Sequence, residues 1–125
     1  MNPSNEDVTE STAATEAEMR PQAVPVNVYE ASEALVVVAP LPAVTAHDVQ
    51  IEVRPGEPAT LRFWARVRSA GPRDYLIHEW EYGGYERQFD LPPGYGAGVE
   101  ASLNNGQLVV RVLSGEPVAS TTQPR

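Results

Sequence analysis

The sequence has no cysteine and no lysine. The first absence excludes a disulfide framework, thiolate metal ligation and a cysteine nucleophile, and it is compatible with a reducing compartment. All 9 basic residues are arginine against 17 acidic ones, for a formal net charge of −8. The resulting field opposes a phosphate backbone, so no nucleic acid is expected as a partner. No apolar run approaches the ~20 residues of a membrane-crossing helix. The acidic first residues do not form the basic start and apolar stretch of a secretory signal. The expectation is a cytoplasmic protein that does not engage a membrane. Motifs for chemistry are missing as well. His47 and His78 have no metal-ligand spacing around them. There is no Gly-x-Ser-x-Gly elbow and no phosphate-binding loop ending in lysine. Glu79 and Glu81 lie two apart, a spacing that suits salt bridging to arginine, and nothing around them suggests a sugar cleft. These absences predict a chain that is not an enzyme and that carries no metal and no cofactor.

What is present fits one domain with two arms. The chain has 125 residues, 42% of them hydrophobic. Residues 1–23 hold Glu6, Asp7, Glu10, Glu16 and Glu18 against Arg20, with no aromatic side chain. Such a segment buries too little apolar surface to offset its ordering entropy, and it reads as a disordered acidic arm. Residues 114–125 (SGEPVASTTQPR) read as a flexible C-terminal tail.

Between the arms, residues 24–113 consist of short valine-rich runs. Val26 to Glu30 is the first. Ala34 to Ala39 is continuously apolar, as in a strand buried on both faces. Val49, Ile51 and Val53 alternate with polar residues, and so do Leu61, Phe63, Ala65 and Val67. This period of two marks strands with one buried face. Tyr75 to Glu81 and Tyr85 to Leu91 flank a Gly-Gly pair. Val99, Ala101 and Leu103, then Leu108, Val110 and Val112, close the series. Thr45 to Asp48 suits one helical turn with Thr45 as N-cap. Most of the 12 prolines fall in the gaps and arms, where no ladder N–H is needed. Asn105-Gly106 suits a type I′ hairpin turn. Short strands with turns every 8–12 residues predict an all-β fold, an antiparallel β-sandwich.

Two segments are more specific. YGGYERQFDLP (82–92) resembles the Tyr-Gly-x-aromatic-x-Arg-x-Phe-x-Leu-Pro pattern of the small heat shock protein (alpha-crystallin domain) family, bacterial and plant branch. ASLNNGQL (101–108) resembles that family's Ala-x-x-x-Asn-Gly-x-Leu motif. VNVYEASEALVVVAPLP (26–42) and TAHDVQIEV (45–53) resemble its opening strands and the turn and strand that follow. The resemblance implies an immunoglobulin-like sandwich and an ATP-independent stress-response chaperone, a holdase that binds unfolding client proteins and limits aggregation. It also implies a homodimer or small oligomer formed by strand swap. Tyr75, Leu76, Ile77, His78, Glu79 and Trp80 would reach the partner's first strand, at Val26 and Val28, with Arg87 near the interface. The interface would be isologous.

Some positions depart from the family pattern. The expected C-terminal pair of aliphatic anchors is reduced to Val118-Ala119-Ser120, with one anchor lost, and the N-terminal arm is acidic where hydrophobic arms are usual. These departures predict a dimer or small oligomer and a groove left free of its own tail. Such a groove would take extended peptides. Val49 and Ile51 are candidates for one wall. Val99, Ala101 and Leu103 are candidates for the other, with Gly98, Glu100 and Ser102 as the set a one-residue slip would expose instead. A second reading of the same scaffold is a non-catalytic adaptor, similar to the p23 co-chaperone domains, that recognises one folded partner. The arginines 62, 66, 68 and 73 read either as a solvated strand face or as a docking strip for an acidic partner.

Overall fold

The structure is a computed structural model that describes residues 22–66, 74–79 and 84–125. The described chain forms two β-sheets packed face to face. Nine strands run in chain order: β1 (Gln22–Ala23), β2 (Asn27–Ala31), β3 (Ala34–Pro40), β4 (Val49–Arg54), β5 (Thr60–Ala65), β6 (Tyr85–Asp90), β7 (Tyr95–Asn104), β8 (Gln107–Ser114) and β9 (Ser120–Thr122). One sheet has the order β1-β6-β5-β4-β9 and the other β2-β3-β8-β7. All pairings are antiparallel except β1 with β6. The all-β sandwich expected from the alternation of apolar residues is the fold.

The strands form where the side-chain pattern demands two faces. On β4 the side chains of Val49, Ile51 and Val53 are fully buried, while Gln50 and Glu52 are half-buried on the other face. Leu61 and Phe63 of β5 lie opposite Val53 and Ile51 and are likewise buried. The second sheet answers with Leu35, Val37 and Ala39 of β3 and Leu108, Val110 and Val112 of β8. Burying side chains of this size contributes about 1.5–3 kcal/mol each. The continuous apolar run of β3 is buried on both faces over its first half: Ala34 and Val36, on its second face, are buried as well.

Two turns place the strands that matter for function. Asp48 closes a short 3-10 turn (Ala46–Asp48), where its carboxylate accepts a hydrogen bond from the Thr45 hydroxyl at 2.8 Å. That turn delivers the chain into β4. Asn105 and Gly106 join β7 to β8, both with positive φ (51° and 76°), the backbone that a two-residue type I′ hairpin requires. The Gly106 carbonyl then accepts the Leu41 N–H at 2.7 Å, fixing the hairpin tip to the end of β3.

β-Structure extends beyond residues 24–113 at both ends. Gln22–Ala23 pairs with Tyr85–Glu86, and β8 runs to Ser114. The tail, expected to be flexible, contains β9. Of the strand expected over Tyr75 to Glu81, the described residues 75–79 are not in a strand. Val67, Trp80 and Glu81 lie outside the described residues.

Candidate functional site

The sandwich has two flanks, and the sequence-derived candidates sort onto them. On one flank β4, with β9 beyond it at the edge, closes the first sheet and β7 borders the second. β7 pairs with β8 through Val99↔Val112, Ala101↔Val110 and Leu103↔Leu108. Directly paired residues share a face, so Val99, Ala101 and Leu103 point inward with the buried valines of β8. Glu100 and Ser102 point outward. Alternation alone had left both faces of β7 open, and the partner strand decides between them. The five groove candidates are therefore gathered on the inner side of this flank: Val49 and Ile51 fully buried, Ala101 nearly so, Val99 and Leu103 packed partly against the core.

This flank is covered, which corrects the expectation of a groove free of its own tail. Ser120, Thr121 and Thr122 pair antiparallel with Val53, Glu52 and Ile51. Upstream, Val118 donates its N–H to the Gly96 carbonyl at 3.0 Å. Downstream, the Arg125 N–H donates to Ala101 O and the Arg125 carbonyl accepts from Leu103 N, both at 3.1 Å. The Gln123 side-chain amide donates to the His47 carbonyl at 3.1 Å. The tail thus runs antiparallel to β4 and parallel to β7, filling the seam between the sheets.

The family pattern predicts docking through a pair of aliphatic anchors. The main chain makes this contact instead, and main-chain hydrogen bonding needs no particular side chain. Ser120 and Thr122 share the inward face of Val53 and Ile51, and Pro124, two further on, is buried. Val118, the aliphatic residue that sequence reasoning singled out, is 49% exposed. The Ser120 hydroxyl is buried without a hydrogen-bond partner, at a cost of about 1–3 kcal/mol. Gly96 permits the approach: its φ is 125°, and a Cβ there would stand 3.0 Å from Pro117.

The other flank differs. β2 pairs only with β3, and among the described residues nothing pairs with its outer edge. All five of its residues are exposed, with Val28 at 42% and Tyr29 at 55%. Val26 is half-buried against the core. The segment 74–79 is exposed throughout. Leu76 is fully exposed, Ile77 is 75% exposed, and the Tyr75 and His78 rings stack 4.5 Å apart. Trp80 lies outside the described residues. Arg87 sits opposite Phe63 on β6 and donates to the Val24 carbonyl at 3.1 Å. It therefore secures the chain leading into β2.

The arginine strip is partly neutralised. Arg62 lies 4.1 Å over the Trp64 ring and 3.0 Å from the Glu86 carboxylate, and Arg66 is exposed. Arg68 and Arg73 lie outside the described residues. Among the described residues no group of three His, Cys, Asp or Glu side chains is placed to hold a metal ion. No helix among them is long and apolar enough to cross a membrane.

No curated protein matches this chain. Solved structures do. HspA from Xanthomonas axonopodis is similar with a TM-score of 0.63 and 24% identity, covering 79% of this chain and 100% of that one. A small heat-shock protein from Xylella fastidiosa is similar with a TM-score of 0.61 and 24% identity, over 85% of this chain and 94% of that one. Heat shock protein 16.0 from Schizosaccharomyces pombe is similar with a TM-score of 0.59 and 21% identity, over 83% and 97%. At these identities the likeness establishes the shared sandwich. The family profile described as Hsp20/alpha crystallin matches residues 27–125, from β2 through the strand that fills the seam, and the chain therefore belongs to the Hsp20/alpha crystallin family.

Proposed function

We propose that this protein is an ATP-independent holdase that works as a homodimer and binds extended, apolar segments of unfolding client proteins. The observation that carries this reading is the β2 flank. An unpaired strand edge beside Val28 and Tyr29, together with a fully exposed Leu76 and a largely exposed Ile77, is an aggregation hazard in a lone chain. Both hazards disappear if residues 75–80 of each chain add to the partner's β2 edge, because the exchange is reciprocal and closes on itself. Covering Leu76 and Ile77 would supply about 1.5–3 kcal/mol per side chain.

In this reading the β4–β7 seam, walled by Val49, Ile51, Val99, Ala101 and Leu103, is the site for clients, and strand addition to β4 is the mode of capture. Binding non-native chains draws them away from aggregation by mass action, without turnover. The negative net charge keeps the complexes apart. The cysteine-free composition suits a reducing cytoplasm.

A specific-partner adaptor is the competing reading, favoured by the seam's being filled by the chain's own tail. Two unrelated aggregation-prone clients, one heat-labile and one unfolded by reduction, separate the two readings. Suppression of both at stoichiometric dose, unchanged by ATP, is expected of the holdase. Protection of neither client supports the adaptor. Light scattering of the same sample is expected to give a dimer or small oligomer, and a particle of twelve or more subunits would refute that part of the proposal.

A further inference from the structure

We propose that the outer face of the second sheet is a self-association surface: two copies of this chain meet there about a two-fold axis, each seating its Tyr29 in a cavity between the other's β7 and β8. The contact uses the face of the sheet, whereas the pairing proposed above uses the edge of β2, and it adds to that pairing.

An antiparallel sheet with one face in water alternates apolar and polar residues. β3 and β8 depart from this. Behind the core-facing Val37 and Val110, the outer face carries Ala34, Val36 and Val38 of β3 and Val109 and Leu113 of β8. Val38, Val109 and Leu113 are half-buried. The Leu113 side chain lies over Gly98, where a Cβ would meet it at 3.2 Å. The outer face of the first sheet carries Glu52, Arg62 and Glu86 instead.

Two complementary features lie in one row across the apolar face. Tyr29, 55% exposed, pairs with Val36, which pairs with Arg111, which pairs with Glu100. Tyr29 marks one border of the face. At the other, a cavity of about 180 Å³ has Glu100, Ser102, Val109, Arg111 and Arg125 among its lining residues, and cavities of about 150 Å³ admit a benzene ring. β2 and β7 are the outermost strands of this sheet. A two-fold axis in the contact plane, running along the strands near the midline between β3 and β8, therefore carries each Tyr29 onto the partner's cavity. Such a contact closes on itself. Charge fits a second copy as occupant. Glu100 lies 3.1 Å from Arg111 and 3.9 Å from Arg125, so copies of a chain of net charge −8 meet here without mutual repulsion of carboxylates. The acidic arm fits less well, because both arginines already face Glu100. Four strands about 4.8 Å apart and six residues long give ~400 Å² per copy, half the ~800 Å² of a stable pair. The face is thus the weaker of the two contacts and acts at high concentration.

The chain has no cysteine, so Tyr29→Cys/Ser102→Cys introduces its only thiols. A short bismaleimide is expected to convert the double variant to covalent dimers on a denaturing gel, in at least tenfold greater yield than either single variant. Similar yields from all three overturn the proposal. The yield should persist when Leu76→Lys/Ile77→Lys is added; its loss there would trace the product to the β2-edge pairing and overturn this face. Sedimentation of the full chain should show association beyond the dimer as concentration rises. Tyr29→Ala should weaken that step at least tenfold. So should Ser102→Trp, which fills the cavity from the border opposite β2. Far-ultraviolet dichroism monitors the fold, and unchanged association in the folded variants overturns the contact. Hydroxyl-radical labelling of Tyr29 should fall as concentration rises. Protection that is independent of concentration and disappears on removal of residues 1–21 would assign the face to the acidic arm and overturn the proposal.

Discussion

The two flanks of the sandwich meet the same physical problem in opposite ways. At the β4 edge the chain folds back and pairs with itself through β9. At the β2 edge it leaves five exposed residues and, among the described residues, no partner on the outer side. Edge strands are hazards that proteins must cover or pair. The difference teaches that one edge is completed within the chain, whereas the other stays exposed among the described residues.

The largest effect is expected from breaking the outward flank. Leu76→Lys/Ile77→Lys places two charges in the proposed swap strand. With about 3–6 kcal/mol of apolar burial at stake across the pair, the dimer constant should weaken by ~10² or more. Sedimentation should then show monomer at micromolar concentration with far-ultraviolet dichroism unchanged. An unaltered dimer would move the interface elsewhere.

Next comes a pair of truncations that compares the flanks directly. Ile51→Ala, beneath β9 and fully buried, should cost about 2–5 kcal/mol in urea unfolding, the range for a large-to-small core change. Val28→Ala, at 42% exposure on β2, should cost well under half of that in the monomeric background. Similar losses at both sites would mean that the flanks are not distinct.

Gly96→Ala sharpens the sealed flank. A Cβ there meets Pro117 at 3.0 Å, on backbone with φ of 125°. Strain of about 1–3 kcal/mol follows, and it should appear chiefly as faster amide exchange at β9.

The smallest effect is a pH dependence on β7. Partial burial first, then the charge and hydrogen bond of Glu30, raise the Tyr95 phenol above its ordinary 10.0. The folded state therefore favours the protonated form. Its contribution is fully present below pH 10 and is lost as pH rises through the raised value. Tyr95→Phe should remove this part of the alkaline decline in stability.

Much of the scaffold was legible because it is written in side chains. The period of two in Val49 to Arg54 gave β4 its buried face, and Asn105-Gly106 announced its turn. Thr45 to Asp48 gave the helical turn that leads into β4. What escaped is written in the main chain. Ser120 to Thr122 has no strand signature, because the open edge of β4 makes it a strand. The same holds for Gln22–Ala23 on β6. Reasoning from aliphatic anchors alone singled out Val118, which stays outside. The inward face of β7 was ambiguous in the sequence because Gly98 and Ser102 are small. It is resolved only by the register with Val112 and Val110. Tyr75 to Glu79 has the apolar content of a strand and no strand partner among the described residues.

The segment that closes the β4–β7 seam is made by the ribosome after both strands it joins. The β4–β9 pairing therefore cannot form until every other described strand has been made, and until then the first sheet lacks its β9 border.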